Sequence, residues 1–261
     1  MQYILQVCNN TFSVIVIFFV PSIIFAIIIR FTSMAIFKRL SKVIGIKTYI
    51  YMTAPGTVVH ELGHAIFCLL FRHHINEMKL FSPEPDGTLG YVNHSYNPKS
   101  AYQRVGNFFI ATGPIWLGSA VIFVVSLILA PDTGSSKSLT TETGFEVIVN
   151  SVAIAWHLIL SLFSLSFWCT WESYLWLYLI FAIGTNISLS KQDVKGAWNG
   201  FIASCICIFV INLILTVFVK NQSFIVLFYN FLTQIYAILI YVLVLQIIIA
   251  IIISFCCKKR I

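Results

Sequence analysis

Apolar residues run through this chain in long stretches separated by short polar segments, a pattern typical of helices that cross a lipid bilayer. A span needs about 20 mostly apolar residues, because each helical residue rises about 1.5 Å and the hydrocarbon layer is about 30 Å thick. Residues 33–46, between the first two predicted spans, mix Lys and Arg with apolar residues at helical spacing, which predicts a segment that lies along the membrane interface. The pattern predicts about seven transmembrane helices, at residues 11–29, 48–71, 107–130, 145–168, 173–189, 199–219 and 223–255.

Composition supports the same class of protein. Of the 261 residues, 59% are hydrophobic and 10% are charged, and the mean hydropathy of +0.92 lies far above that of a soluble domain. We therefore expect an all-α polytopic membrane protein, one integral-membrane domain over residues 1–261, embedded in the lipid bilayer of an unspecified membrane. The net charge of +7 is the basic excess that membrane proteins place in loops facing anionic lipid, so it does not imply nucleic acid.

The longest polar stretch, residues 72–105, predicts a small β-hairpin at the membrane surface. Two short segments, 77–81 and 88–92, flank residues 82–87, whose Pro and Asp-Gly chemistry suits a turn. Three histidines flank this hairpin, and solvated loop side chains account for them adequately: His73, His74 and His94.

The clearest chemical signal is HELGH at residues 60–64, which contains the pattern H-E-x-x-H. Positions i and i+4 share one helix face, so His60 and His64 can present two imidazoles to one tetrahedral zinc. Glu61 would lie beside the metal without ligating it, suited to act as general base toward a zinc-activated water. Chance spacing is the alternative, but ionisable groups in an apolar helix are costly without partners, which favours a metal site.

A peptidase site of this type needs a third protein ligand and an open position for water. Among the nine carboxylates, Asp193, which follows a predicted span, is the favoured candidate. An exposed loop Asp beside Lys191 and Lys195 is the alternative interpretation of that residue. Glu172 is the second candidate, and His157 in a predicted span is a weaker candidate for ligation or support.

With these residues placed, the chain resembles the site-2 protease family of intramembrane zinc metallopeptidases, over roughly residues 50–200. Residues 60–64 look like its first motif, and residues 111–114 (ATGP) are similar to its Gly-Pro signature. Residues 188–193 (SLSKQD) look like the Ser/Asp motif that supplies the third ligand in compact branches. Leu117 stands where an Asn often follows the Gly-Pro signature, and the Asp-Gly motif of the better-known branch is absent.

The resemblance implies one Zn²⁺ per chain and hydrolysis of a peptide bond in a membrane-embedded or membrane-adjacent protein or peptide. A helical substrate hides its scissile bond in i to i−4 hydrogen bonds, so it must unwind before cleavage. A hairpin strand could then hold the extended segment by β-augmentation, although an ordinary hairpin without a substrate role is the alternative. The candidate substrate-binding residues are Thr88, Leu89, Gly90, Tyr91, Val92 and Asn93.

Two other functions stay open. One is a membrane zinc peptidase of another type, with Glu172 as third ligand and a prenylated or soluble peptide as substrate. The other is a non-proteolytic protein, either a metal-ion carrier or a relative that binds client membrane helices. A carrier should show polar residues across several spans, and apart from Asn150, His157 and Asn186 few occur. Glu61 argues against an inactive relative, since a binder has no need of a base.

Overall fold

A computed structural model describes residues 2–129, 141–216 and 223–257, which form a helical bundle with one small antiparallel sheet. This agrees with the predicted all-α membrane fold carrying a hairpin. In chain order the elements of these ranges are α1 (Gln2–Ile44), α2 (Ile46–Met52), α3 (Ala54–Leu70), β1 (His74–Lys79), β2 (Tyr91–Ser95), α4 (Ala101–Leu129), α5 (Gly144–Ser161), α6 (Leu165–Trp168), α7 (Trp171–Gly184), α8 (Lys191–Ile214) and α9 (Ser223–Cys257).

Helix α1 is continuous over 43 residues, about 65 Å, so residues 33–44 continue the first helix and are not a segment set apart from it, as was predicted. Neither Pro nor Gly occurs in residues 22–44, and the helix ends only at Gly45, whose φ of 88° suits glycine. Arg39 donates a hydrogen bond to the carbonyl of Ala250 on α9 at 3.2 Å. The basic part of the segment therefore packs against another helix as a continuation of α1.

The predicted count of seven spans is not confirmed. Among the described residues, five helices are long and apolar enough to cross a membrane: α1, α4, α5, α8 and α9. Helices α3 and α7 have 17 and 14 residues and are shorter than a typical span. The predicted span 48–71 divides at Thr53 into α2 and α3, because Pro55 suits the first turn of a new helix. The predicted span 145–168 likewise divides, since α5 ends at Ser161.

Helix α3 is held by close backbone contacts on two sides. A Cβ atom on Gly63 would lie 2.7 Å from the carbonyl carbon of Gly113 in α4. A Cβ atom on Gly56 would lie 1.9 Å from the carbonyl oxygen of Ala182 in α7. Only glycine permits such approach, as in other closely packed membrane helices. The helix that carries the two motif histidines is thereby fixed between α4 and α7.

Helix α8 packs along α4 through a similar contact. A Cβ atom on Gly200 would lie 2.3 Å from the backbone nitrogen of Phe108. Because α4 also touches α3, this packing brings the first turn of α8 to the side of α3 that carries the histidines.

The predicted hairpin is present, but its strands are displaced from residues 77–81 and 88–92. The ladder of β1 and β2 pairs His74 with Ser95 and Lys79 with Tyr91. Beyond the strands, two further backbone bonds hold the arms together, from Ser82 N to the Leu89 carbonyl at 2.7 Å and from Glu84 N to the Thr88 carbonyl at 2.8 Å. Pro83 and Pro85 have no N–H to donate, so these arms pair without forming a regular ladder.

Candidate metal centre

Two helices bring three potential metal ligands together. His60 and His64 lie one turn apart on α3, and their Nε2 atoms are 3.2 Å apart. Asp193, in the first turn of α8, places Oδ1 at 3.4 Å from Nε2 of His64 and Oδ2 at 3.9 Å from Nε2 of His60. Within the described parts of the chain, this is the only cluster of three such side chains whose ligand atoms converge.

Backbone carbonyls determine which ring nitrogens are free. Nδ1 of His60 lies 2.6 Å from the carbonyl oxygen of Asn186, and Nδ1 of His64 lies 2.7 Å from that of Ile110. A carbonyl only accepts hydrogen bonds, so each Nδ1 carries the proton. In neutral rings both Nε2 lone pairs then face each other and a carboxylate. Such an electron-rich cluster can bind a cation, and carbonyl support of this kind is the usual arrangement around metal-binding histidines.

The spacing of the three donors suits a small tetrahedral ion. Ligand atoms about 2.0–2.1 Å from a tetrahedral zinc lie about 3.3 Å from each other, which is close to the 3.2 and 3.4 Å separations at His64. Three protein ligands leave a fourth position for water or substrate, as in catalytic zinc sites. The residues therefore could hold a metal ion, and zinc suits this nitrogen and oxygen donor set.

Asp193 reaches the site through its role in capping α8. Its Oδ2 accepts a hydrogen bond from the backbone N–H of Ser190 at 2.6 Å, and the Ser190 hydroxyl accepts from the Asp193 N–H at 3.1 Å. This reciprocal capping box fixes the side chain rotamer. Arg30 of α1 donates to the carbonyl of Leu189 at 3.0 Å, which holds the segment just before the cap. The Asp193 side chain is only 13% exposed, so the interpretation as a solvated loop residue is wrong.

Glu61 is buried beside the ligands, with 7% of its surface exposed. The hairpin covers it: a Cβ atom on Gly90 would lie 2.9 Å from Cγ of Glu61. Glycine at this position lets the hairpin backbone approach the carboxylate closely. The carboxylate thus lies next to the ligand cluster without belonging to it, where a general base would be needed.

A cavity of about 590 Å³ opens over these residues. Four of the six candidate substrate-binding residues line it, namely Thr88, Gly90, Tyr91 and Val92. The other two do not line it: the Leu89 carbonyl bonds to the opposite arm of the hairpin, and Asn93 is exposed. The remaining lining residues are His60, Glu61, His64, His94, Asn107, Ile110, Ala111, Ser190, Gln192, Asp193 and Gly196.

The structure adds residues that the sequence analysis missed. His73 is 5% exposed and His94 lines the cavity, so the prediction of solvated loop histidines is wrong for both and fits only exposed His74. Burial lowers the pKa of His73, and burial together with the nearby His73 and His64 rings lowers the pKa of His94 to about 4. Asn107 of α4 also lines the cavity. No spacing rule connects these residues to the HELGH motif, since they reach it through tertiary contacts.

The other candidate ligands lie elsewhere. Glu172 is in the first turn of α7, whose opposite end leads to Asn186 beside His60, about 20 Å away along the helix axis. His157 is exposed on α5. Neither belongs to the ligand cluster. The chain matches no family model, no curated protein and no solved structure. Its function is therefore inferred from the geometry of this site.

Proposed function

We propose that the protein is an intramembrane zinc metallopeptidase that hydrolyses peptide bonds of membrane-embedded or membrane-adjacent substrates. One observation carries the proposal: the unprotonated Nε2 atoms of His60 and His64 and the carboxylate of Asp193 converge beside the buried Glu61. A metal-ion carrier needs ligands but has no use for this additional carboxylate. The apolar helices around the site support a substrate that is itself held in or at the bilayer.

In this proposal His60, His64 and Asp193 hold the metal through Nε2, Nε2 and a carboxylate oxygen. Zinc, when bound, activates a water molecule and polarises the scissile carbonyl. Glu61 accepts the proton from that water and returns it to the leaving amine. The carbonyls of Asn186 and Ile110 keep the imidazoles in the ligating tautomer throughout.

Strand β2 is the proposed docking edge for the substrate backbone. In the two-stranded sheet β1 pairs with one side of β2. Among the described residues no strand pairs with the other side of β2, so its backbone N–H and C=O groups there are available. Tyr91 and Val92 of β2 line the cavity, so a segment paired with this edge would pass over Glu61 and the metal ligands. An extended substrate exposes the peptide bond that a helix would protect.

Metal content tests the proposal without knowledge of a substrate. We expect about one zinc per chain in detergent-purified wild type, and its loss in His60→Ala and Asp193→Ala. Glu172→Ala is the matched control, because it removes a carboxylate that lies outside the cluster. Wild type that stays empty after zinc is added would contradict the proposal. Zinc loss in Glu172→Ala, with Asp193→Ala still loaded, would favour a peptidase of another type.

Glu61→Gln separates peptidase activity from metal binding. The amide cannot accept a proton from water, so we expect the variant to keep zinc and to cleave peptides about 10²–10⁴-fold more slowly. It should retain bound substrates, which makes it suitable for trapping them from membranes. Zinc-loaded wild type that retains membrane helices as stably as Glu61→Gln and never cleaves them would favour the non-proteolytic relative.

A further inference from the structure

His73 and His94 form a hydrogen-bonded pair at the edge of the cavity. Their Nδ1 atoms are 3.1 Å apart, and Nε2 of His73 lies 2.8 Å from the carbonyl oxygen of Gln103. His73 also stacks on Tyr96, with ring centroids 5.1 Å apart. Arg72, immediately before it, has a φ of 57° because it is the left-handed residue that ends α3, and the His73 N–H donates to the Cys68 carbonyl at 2.8 Å. The backbone of His73 is thereby fixed to the end of the helix that carries the two motif histidines.

The hydrogen bonds of this pair fix its protons. The Gln103 carbonyl only accepts, so Nε2 of His73 carries hydrogen and, in a neutral ring, its Nδ1 is bare. Nδ1 of His94 must then be the donor of the bond between the two rings. Nε2 of His94 is therefore unprotonated. It can accept a hydrogen bond from a bound molecule but cannot donate one. Burial lowers the pKa of both rings, which keeps them neutral near pH 7.

The second arm of the hairpin places His94 at the site. Gly90, Tyr91, Val92 and His94 of this arm all line the cavity. Gly90 lies against Glu61. The register shifts between Ile75 and Glu77, opposite His94, and bulges of this kind re-aim side chains beside active sites.

We propose that His94 binds substrate by accepting a hydrogen bond from a peptide N–H at Nε2, and that His73 is the positioning residue that fixes its tautomer. An extended peptide chain in the cavity supplies such N–H donors. The inference rests on the proposed function, since it assigns a further residue to the same site. It also gives a function to a histidine pair that metal binding leaves unused.

Two substitutions separate this function from a structural one. In His94→Asn the amide nitrogen takes the place of Nδ1 and can still donate to His73, but the acceptor at Nε2 is lost. In His94→Gln the side-chain oxygen reaches the position of Nε2, whereas the bond to His73 is lost. If His94 has only a structural role, His94→Asn should be more stable than His94→Gln, and ligand affinity should follow that order. If His94 binds substrate, His94→Gln should bind ligand more tightly than His94→Asn.

The measurement uses the full-length protein loaded with Co²⁺, whose visible absorption reports ligand binding without turnover. Acetohydroxamic acid and an N-acetylated tripeptide hydroxamate share one chelating group, but only the second carries peptide N–H groups along a chain. We expect His94→Asn to bind the tripeptide hydroxamate about tenfold more weakly than wild type. Its affinity for acetohydroxamic acid should be unchanged, and His94→Gln should bind both probes nearly as wild type does.

The outcomes distinguish the two proposals. Absence of a cobalt spectrum in wild type would overturn the metal site and this inference together. A normal spectrum with equal tripeptide affinity in His94→Asn and wild type would overturn the inference alone. The inference would also be overturned if wild type bound the tripeptide hydroxamate no more tightly than acetohydroxamic acid. The same conclusion would follow if ligand affinity fell in parallel with thermal stability in both variants.

Discussion

Replacing Gly63 with alanine tests the contact between α3 and α4 that positions His64 in the candidate metal centre. The new Cβ atom would lie 2.7 Å from the carbonyl carbon of Gly113 and 2.8 Å from the nitrogen of Pro114, where ordinary contact begins near 3.4 Å. Both neighbours are backbone atoms and cannot rotate away. The two helices must therefore separate by about 0.7 Å, which overpacking series suggest costs about 1–3 kcal/mol.

The same separation affects the next residue along α3. His64 donates from Nδ1 to the carbonyl of Ile110 on α4 at 2.7 Å, and moving the helices apart stretches this bond to about 3.4 Å, beyond the usual range. Loss of such a supporting bond typically lowers metal affinity about 10–100-fold. Gly63→Ala should thus weaken zinc binding although it changes no ligand.

The assay pairs thermal unfolding in detergent with competition for zinc by a chelator. Gly144→Ala is the matched control, because the nearest atom to its Cβ is a side-chain carbon of Ile17 at 3.8 Å. The control should keep wild-type zinc affinity and equal or slightly higher stability. If Gly63→Ala melted and bound zinc like wild type, the backbone contact would have no part in positioning His64.

Two further predictions concern the second helix and the hairpin. Asp193→Asn keeps a capping side chain but removes the charge, so zinc affinity should fall by more than about 100-fold. Ser190→Ala removes the other half of the capping box, so it should cost about 1 kcal/mol of stability while zinc is retained. If both variants lost zinc equally, Asp193 would act only as the helix cap and not as a ligand. In Gly90→Ala the new Cβ lies 2.9 Å from Cγ of Glu61 and 2.8 Å from two hairpin carbonyls, so peptide cleavage should slow with zinc retained. Unchanged cleavage by Gly90→Ala would show that the hairpin does not constrain Glu61.

The agreement between sequence and structure is best where local rules apply. Hydropathy and helix periodicity predicted an all-α membrane fold, and the i, i+4 spacing placed His60 and His64 on one helix face. Pro55 lies in the first turn of α3, where a helix accepts proline. Span boundaries were less predictable: α1 continues to Ile44, and its basic end packs on α9, where Arg39 donates to the Ala250 carbonyl, a contact that no local pattern encodes.

The candidate site shows the same division. Asp193 was selected from nine carboxylates by its place after a span and by family resemblance, and the structure brings it to within 3.4 Å of His64. The second candidate, Glu172, is separated from the site by the length of α7. Sequence spacing cannot rank two such residues, because their distance from the histidines depends on how α7 and α8 pack against α3.

The amino-acid sequence by itself determined the helical membrane fold, the hairpin and the pair of histidines, since each depends on periodicity or spacing within a few turns. Only the tertiary structure decided that Asp193 meets them, that Gly90 lies over Glu61, and that His73 and His94 form a pair at the cavity. These contacts join segments far apart in the chain. They form where glycine contacts let the backbones of α3, α4 and α8 approach, and that approach is a property of the packed bundle.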